Sequence, residues 1–296
     1  METATFLSGI FGLKFSSPSF PLMRPRALSF FLLTFLLPAH GRVNAAPSTN
    51  TPAPAVFQDF TEPTPWAKKI DSTGVWRIAG PWIGTGKNEL LPALAATVAS
   101  CENDSGNGFL ALSMNPGPKL EGSEIQSLPT TGFGYGYYET RMKVSAVRGG
   151  CVSFFLKEVL TNPPGYGKLE PDVEFLLDEP WLTNPTKGKV WCSLHGPGGD
   201  KSDAVDLPFN PTLDFHRYGM LWTPGSLKWY ADGKLIHSMQ RGDLSSDRQV
   251  FIMANAWSGG KNWGGPPPAK VSTTYYDWIK YWPNVTEPPD SGDAPK

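Results

Sequence analysis

The chain has 296 residues, a formal net charge of −1 and only 18% charged residues. With no basic surplus to neutralise phosphates, the composition gives nucleic-acid binding no support. Twelve per cent aromatic residues, 11 Trp, 31 Gly and 30 Pro describe a turn-rich all-β protein; core packing takes roughly half of the tryptophans and leaves the others to face sugar rings.

In chain order, Met23-Arg-Pro-Arg26 is basic, Ala27 to Leu37 is apolar and Val43-Asn44-Ala45 is a small-x-small cleavage signal. Residues 1–45 therefore read as a secretory signal peptide, starting at Met1 or at Met23. The apolar run is about eleven residues against the ~20 needed to cross a bilayer, which argues against stable membrane association. Export predicts a secreted, extracellular protein, or a periplasmic one in a bacterium, in an oxidising compartment. The three cysteines, Cys101, Cys151 and Cys192, are odd in number, so at least one is free or paired outside the chain. Strand parity puts Cys151 on a face with Phe155 and Cys192 opposite Ser193, and leaves their pairing open.

Residues 46–56 form a Pro/Ser/Thr-rich linker with no means of burying a core. The remainder divides into one domain, 57–283, and an unstructured tail, 284–296, which carries the sequon Asn284-Val-Thr286. Within the domain, Phe109 to Met114, Gly136 to Val144, Cys151 to Leu156, Lys189 to Leu194 and Leu227 to Ala231 alternate or run apolar between turn residues, as strands do. Asp232-Gly233 is a hairpin turn joining Leu227 to Ala231 with Lys234 to His237. Many short strands and no long helical periodicity predict a sandwich of two antiparallel sheets, with a concave face across which a polymer can lie.

Leu169 to Leu177 places Glu170, Asp172 and Glu174 at alternate positions. On a strand all three project from one face, while Val173, Phe175 and Leu177 take the other. Like charges so arranged repel and raise at least one pKa. The run is either an acidic solvent-facing edge or a site for retaining glycoside hydrolysis, which needs one ionised and one protonated carboxyl group.

Several motifs together resemble glycoside hydrolase family 16, whose members include secreted lichenase- and laminarinase-like endo-β-glucanases. They are Ser123 to Ser127, Gly134 to Lys143, Phe215 to Gly233, Ile252 to Trp257 and Tyr276 to Tyr281, in that order. The resemblance implies a β-jelly-roll with an open cleft. It implies Glu170 as nucleophile, Asp172 as its helper and Glu174 as acid/base, in the unbulged subgroup. Pro171 departs from the family pattern and removes a backbone donor inside that strand.

The resemblance further implies that Trp257 and Trp263 stack on sugar rings, that Asn255 bonds a sugar hydroxyl and that Glu124 contacts sugar near the cleavage point. Gln126 stands where lichenases carry arginine, and His195 stands where they carry tyrosine and laminarinase-like members often carry histidine. Relatives hold Ca²⁺ on the convex side at positions matched by Asp277 and Gly108; no cofactor is required for the chemistry, and no Cys/His spacing suits zinc. His216 and His237 read as structural. Phe155 and Lys157 share a parity that faces the cleft, or are a core Phe and a solvated Lys; Tyr135 and Tyr137 pack in the sheet or line its rim. The loop Asp178 to Thr186 follows the acidic strand without a place assigned by its sequence. The expected function is endo-hydrolysis of β-1,3- or mixed β-1,3/1,4-glucan by a monomer. Transglycosylation, hydrolysis of another wall polymer such as xyloglucan or a galactan, and an inactive lectin-like jelly roll are the alternatives.

Overall fold

The computed structural model describes residues 52–60, 76–78, 97–99, 108–116, 122–128, 133–161, 164–245, 248–258 and 263–292. The signal segment and Cys101 lie outside these. Strands are numbered in chain order and form two eight-stranded antiparallel sheets. The first runs β14 (Lys234–Gln240), β13 (Ser226–Ala231), β12 (His216–Thr223), β6 (Gly136–Lys143), β16 (Ser272–Pro283), β4 (Phe109–Met114) and β3 (Thr97–Ala99), with β1 (Val56–Gln58) also on β16. The second runs β11 (Lys201–Leu207), β10 (Gly188–His195), β9 (Glu170–Leu176), β7 (Cys151–Thr161), β15 (Val250–Trp257), β5 (Ser123–Ser127) and β2 (Trp76–Ile78), with β8 (Pro164–Tyr166) on β7. Both sheets combine hairpin neighbours with pairs far apart in sequence, such as β6 with β16 and β7 with β15, as a jelly roll requires. No helix among the described residues is long and apolar enough to cross a membrane.

The period of two in the strands sorts side chains between the core and the outer faces. Tyr138, Met142, Trp222 and Trp229 of the first sheet meet Val152, Phe154, Val173, Phe175 and Ile252 of the second in one core cluster. Burying each such side chain contributes about 1.5–3 kcal/mol. The predicted hairpin closes on Asp232 (φ 47°) and Gly233 (φ 76°), the pair of left-handed residues that a two-residue turn needs. Its Asp232 carboxylate accepts the Arg217 N–H at 2.9 Å and lies 2.8 Å from His216 Nδ1.

The acidic strand forms as its alternation predicts, and Pro171 opens it in only one place. β9 pairs with β7 from Leu176 to Asp172, where Phe155 is opposite Asp172, and the pairing stops there. Leu177 donates its N–H to Gly150 O at 2.9 Å. In an antiparallel ladder the odd-numbered residues of β9 thus turn their backbone groups toward β7, and the donor missing at Pro171 is one of these. Three residues further along each strand the same register returns, with Glu158 N–H on Leu169 O at 2.8 Å and the Leu169 N–H taken by the Glu158 carboxylate at 3.1 Å. On its other side β9 stays paired with β10 through Pro171, as far as Glu170 opposite His195. The proline is absorbed as a gap in one ladder, without a slip.

The tail, read as unstructured, is held against the first sheet as far as Ser291. Asn284 N–H bonds Tyr135 O at 2.9 Å, Val285 packs on the Tyr137, Leu221, Tyr230 and Trp282 cluster, and Lys280 Nζ bonds Ser291 O at 3.0 Å. The end of the linker is held similarly, by Trp282 Nε1 on Pro52 O at 2.9 Å. Cys151 and Cys192 are both buried and free. Cys151 lies on the acid side of the second sheet, whereas Cys192 is in the core between the sheets.

Candidate active site

Register across the second sheet gathers one outward face. Opposite Glu170, Asp172 and Glu174 on β9 stand His195, Ser193 and Trp191 of β10. On the other side, β7 sets Phe155 opposite Asp172 and Ser153 opposite Glu174. β15 then sets Asn255 opposite Ser153 and Trp257 opposite Cys151, and β5 places Glu124 opposite Asn255 and Gln126 opposite Met253. Residues far apart in the chain therefore share a floor because adjacent strands keep one parity.

Glu174 is buried, yet both of its oxygens are occupied. Ser193 Oγ donates to Oε2 and Trp263 Nε1 to Oε1, each at 2.8 Å. Burial pushes its carboxyl group above the usual range and Glu170 adds to this, against the opposing effect of Trp263, Ser193 and His195. Asp172 is buried further from any donor. Its Oδ2 has no hydrogen-bond partner among the described residues, with His195 Nε2 at 3.9 Å. Burial first, then the charges of Glu170 and Glu174, hold Asp172 well above the usual carboxylate range, and Lys157 opposes them. Glu170 is partly exposed and forms an ion pair through Oε2 with Lys157 Nζ. Three carboxyl groups in different environments can thus hold different protonation states on one strand.

Trp263 is held over Glu174 by a close approach of two glycine backbones. Gly150 N–H bonds Gly264 O at 2.8 Å, and a Cβ on Gly264 would meet the Gly150 carbonyl carbon at 2.6 Å. The Trp263 ring stands edge-on to Trp191 at 5.3 Å, and Trp191 Nε1 donates to Glu179 Oε1 at 2.6 Å. This assigns the loop Asp178 to Thr186 its role. Its single turn Pro180–Thr183 buries Trp181 and Leu182, and Glu179 reaches up to the tryptophan wall.

The other expected residues fall as follows. Asn255 is tied into a buried chain, accepting from Ser153 Oγ and donating to Glu124 Oε2 at 3.2 Å, so Glu124 and Asn255 stiffen the floor beside Glu174. Trp257 is half-buried at the end of β15. His195 is 40% exposed, with Nδ1 3.3 Å from Asp200 Oδ1. Phe155 is on the acid face but buried in a small cluster with Phe251 and Met253, outside the main core. Tyr135 packs against the core and Tyr137 belongs to the outer cluster of the first sheet, so neither lines the acids. His216 stacks on Phe209 at 3.6 Å and His237 Nε2 lies 3.1 Å from Asp203 Oδ2, both structural positions.

Several residues escaped the sequence reading, Trp191 and its partner Glu179 among them. Gln126 stands without arginine in its own strand, but Arg77 of β2 is opposite it and donates from Nη2 to Gln126 Oε1 at 3.1 Å. A neighbouring strand restores the charged donor. Ser193 was noticed only for its parity; a hydroxyl opposite a buried acid is the signal that it had.

On the outer face of the first sheet, Asp277 is the extra residue of a bulge in the β16–β6 pairing. Its Oδ2 accepts from Arg141 at 2.6 Å and its Oδ1 is buried without a hydrogen-bond partner among the described residues. β16 sets Tyr276 opposite Leu110, close to Gly108. A buried carboxylate oxygen without a partner suits the oxygen-ligand chemistry of Ca²⁺. No group of three or more His, Cys, Asp or Glu among the described residues is placed to hold a metal.

Known proteins resemble this chain in sequence and in fold. The family model for glycosyl hydrolases family 16 matches residues 95–280. The β-glucanase of Paenibacillus polymyxa is 33% identical over 189 residues, 62% of this chain and 74% of the relative. That of Bacillus subtilis (strain 168) is 31% identical over 175 residues, 58% and 67% of the respective chains. The solved β-glucanase of Bacillus licheniformis superposes with a TM-score of 0.58 at 26% identity, covering 78% of this chain and 98% of its own. A laminarinase catalytic domain from Thermotoga petrophila shares the fold, with a TM-score of 0.55 at 20% identity over 78% of this chain and 98% of its own.

Proposed function

The chain belongs to glycoside hydrolase family 16, and from that premise we propose that it is a secreted, monomeric, retaining endo-hydrolase of β-1,3- or mixed β-1,3/1,4-glucan. The observation that carries this reading is the contrast between Glu174 and Glu170. Glu174 is buried with its carboxyl group raised, suited to giving a proton, while Glu170 is more exposed and paired with an ammonium, suited to attack as a carboxylate.

In this mechanism one oxygen of Glu170 bonds to the anomeric carbon. The glycosidic C–O bond breaks, its electron pair goes to the leaving oxygen, and that oxygen takes the proton of Glu174. Water then attacks the same carbon, gives its proton to Glu174 and returns the electron pair to Glu170. Asp172, whose hold on a proton is strengthened by burial beside two acids, is placed to share that proton with Glu170 while that group is charged. Trp191, Trp257 and Trp263 offer ring surfaces to the polymer. Bound at Asp277, Ca²⁺ would stabilise the sheet opposite the chemistry.

The test is incubation of the enzyme with lichenan, laminarin, xyloglucan, agarose and carrageenan, scored for reducing ends, with ¹H NMR of the first product. Reducing ends from lichenan or laminarin, with the β-anomer appearing first, are expected. The α-anomer first would overturn retention, and binding without any product would make the protein a lectin-like jelly roll. Chain exchange on xyloglucan without new reducing ends would make it a transglycosylase.

A further inference from the structure

Lys157 sits on β7 with its ammonium on the acid face, in an ion pair with Glu170 Oε2. Neither group is deeply buried, the side chains being 23% and 25% exposed, so the pair is held without the large desolvation cost of an interior one. The placement follows from the gap at Pro171. Where the β7–β9 ladder opens, the register of Phe155 with Asp172 and Glu158 with Leu169 brings Lys157 level with Glu170. The other titratable groups around Glu170 are Asp172 and Glu174 on its own strand and His195 on β10, which is 3.3 Å from Asp200. Lys157 is thus the fixed cation among acids, beside a histidine already shared between Asp172 and Asp200.

We propose that Lys157 is a positioning residue that holds Oε2 of Glu170, leaves Oε1 to attack the anomeric carbon, and speeds release of the sugar from Glu170 in the second step. The inference rests on the retaining mechanism proposed above. In the first step Glu170 Oε1 forms the bond to carbon, and the carboxylate charge facing Lys157 disappears into the ester. In the second step the water oxygen bonds that carbon, the water proton goes to Glu174, and the ester C–O bond breaks with its electron pair returning to Glu170. The ammonium faces the charge as it reappears, so it favours departure of Glu170 more than it favours its attack. Lys157 also supplies the one positive charge that opposes the raised proton affinity of Asp172.

The experiment compares the parent with Lys157→Met, Lys157→Gln and Lys157→Arg on a 2,4-dinitrophenyl glycoside of a mixed-linkage glucan oligosaccharide. Intact-protein mass is recorded during turnover. In the Met and Gln variants a glycosyl adduct should accumulate, with kcat and KM falling together by at least about tenfold and kcat/KM nearly unchanged. The Arg variant should restore turnover without an adduct. If both neutral variants fold and show no adduct, with kcat/KM falling as far as kcat, the proposal is overturned. A 2-deoxy-2-fluoro glycoside applied to the parent separates the two failures. Labelling of Glu170 upholds retention whatever Lys157 does, and no labelling with an α-anomeric product removes the mechanism itself.

Discussion

Both outer faces of the sandwich bury acids, and two of these acids have opposite surroundings. Glu139 on β6 and Asp172 are 2% and 4% exposed, so burial does not distinguish them. Their neighbours do. Around Glu139, Ser291, Arg217, Tyr137 and Lys280 all oppose the effect of burial, and the tail segment Val285 to Ser291 lies over that side. Around Asp172, the charges of Glu170 and Glu174 add to burial, and Lys157 alone opposes. Glu139 has several neighbours that ease its burial, whereas Asp172 has one cation against two acids, the kind of perturbed carboxyl group that marks a reactive face.

The sharpest way to break this contrast is to remove one acid from each face. Glu170→Gln should lower turnover on lichenan by at least about 10³-fold with little change in melting temperature. Glu139→Gln should leave turnover within about twofold, because Glu139 lies on the other sheet, away from the acid strand. Equal loss of activity in the two variants would erase the distinction.

A smaller effect sharpens it through pH. Asp172 binds its proton more tightly in the folded state than in the unfolded chain. Its contribution to stability is therefore full below the ordinary carboxylate range and is lost as pH rises through the raised folded value. Asp172→Asn should melt a few degrees above the parent at neutral pH, on the order of 1–3 kcal/mol, with the difference vanishing below about pH 4. Melting curves from pH 3 to 8 check this, and a constant offset would contradict it. The smallest effect belongs to Arg77→Met, which should raise KM about three- to tenfold at nearly constant kcat if the arginine on β2 serves the polymer.

What the sequence disclosed follows from the range of each interaction. The acid alternation, the Asp232-Gly233 turn and the split of β9 into core and open faces are local, and all are present as read. Arg77 was invisible because β2 is three residues long and meets Gln126 from 49 residues away. The order of the tail was hidden too, because Ser291 is held by Arg217 and Lys280 rather than by its own neighbours. Pro171 marked a disturbance in the strand, but its outcome depended on Glu158, whose side chain takes over one backbone bond while its N–H resumes the ladder. Asn255 shows the limit of parity. Its face is right, but only the neighbouring strands reveal that its amide is already committed to Ser153 and Glu124.

The two described cysteines carry a consequence for how the folded protein meets oxidants. Cys151 and Cys192 belong to β7 and β10, on opposite faces of one sheet, with β9 running between them. No bridge can join them while β9 is in place, and burial pushes both thiols up, out of the reactive range. The folded sheet therefore holds together without a bridge between these two thiols, and once folded it keeps both of them away from oxidants.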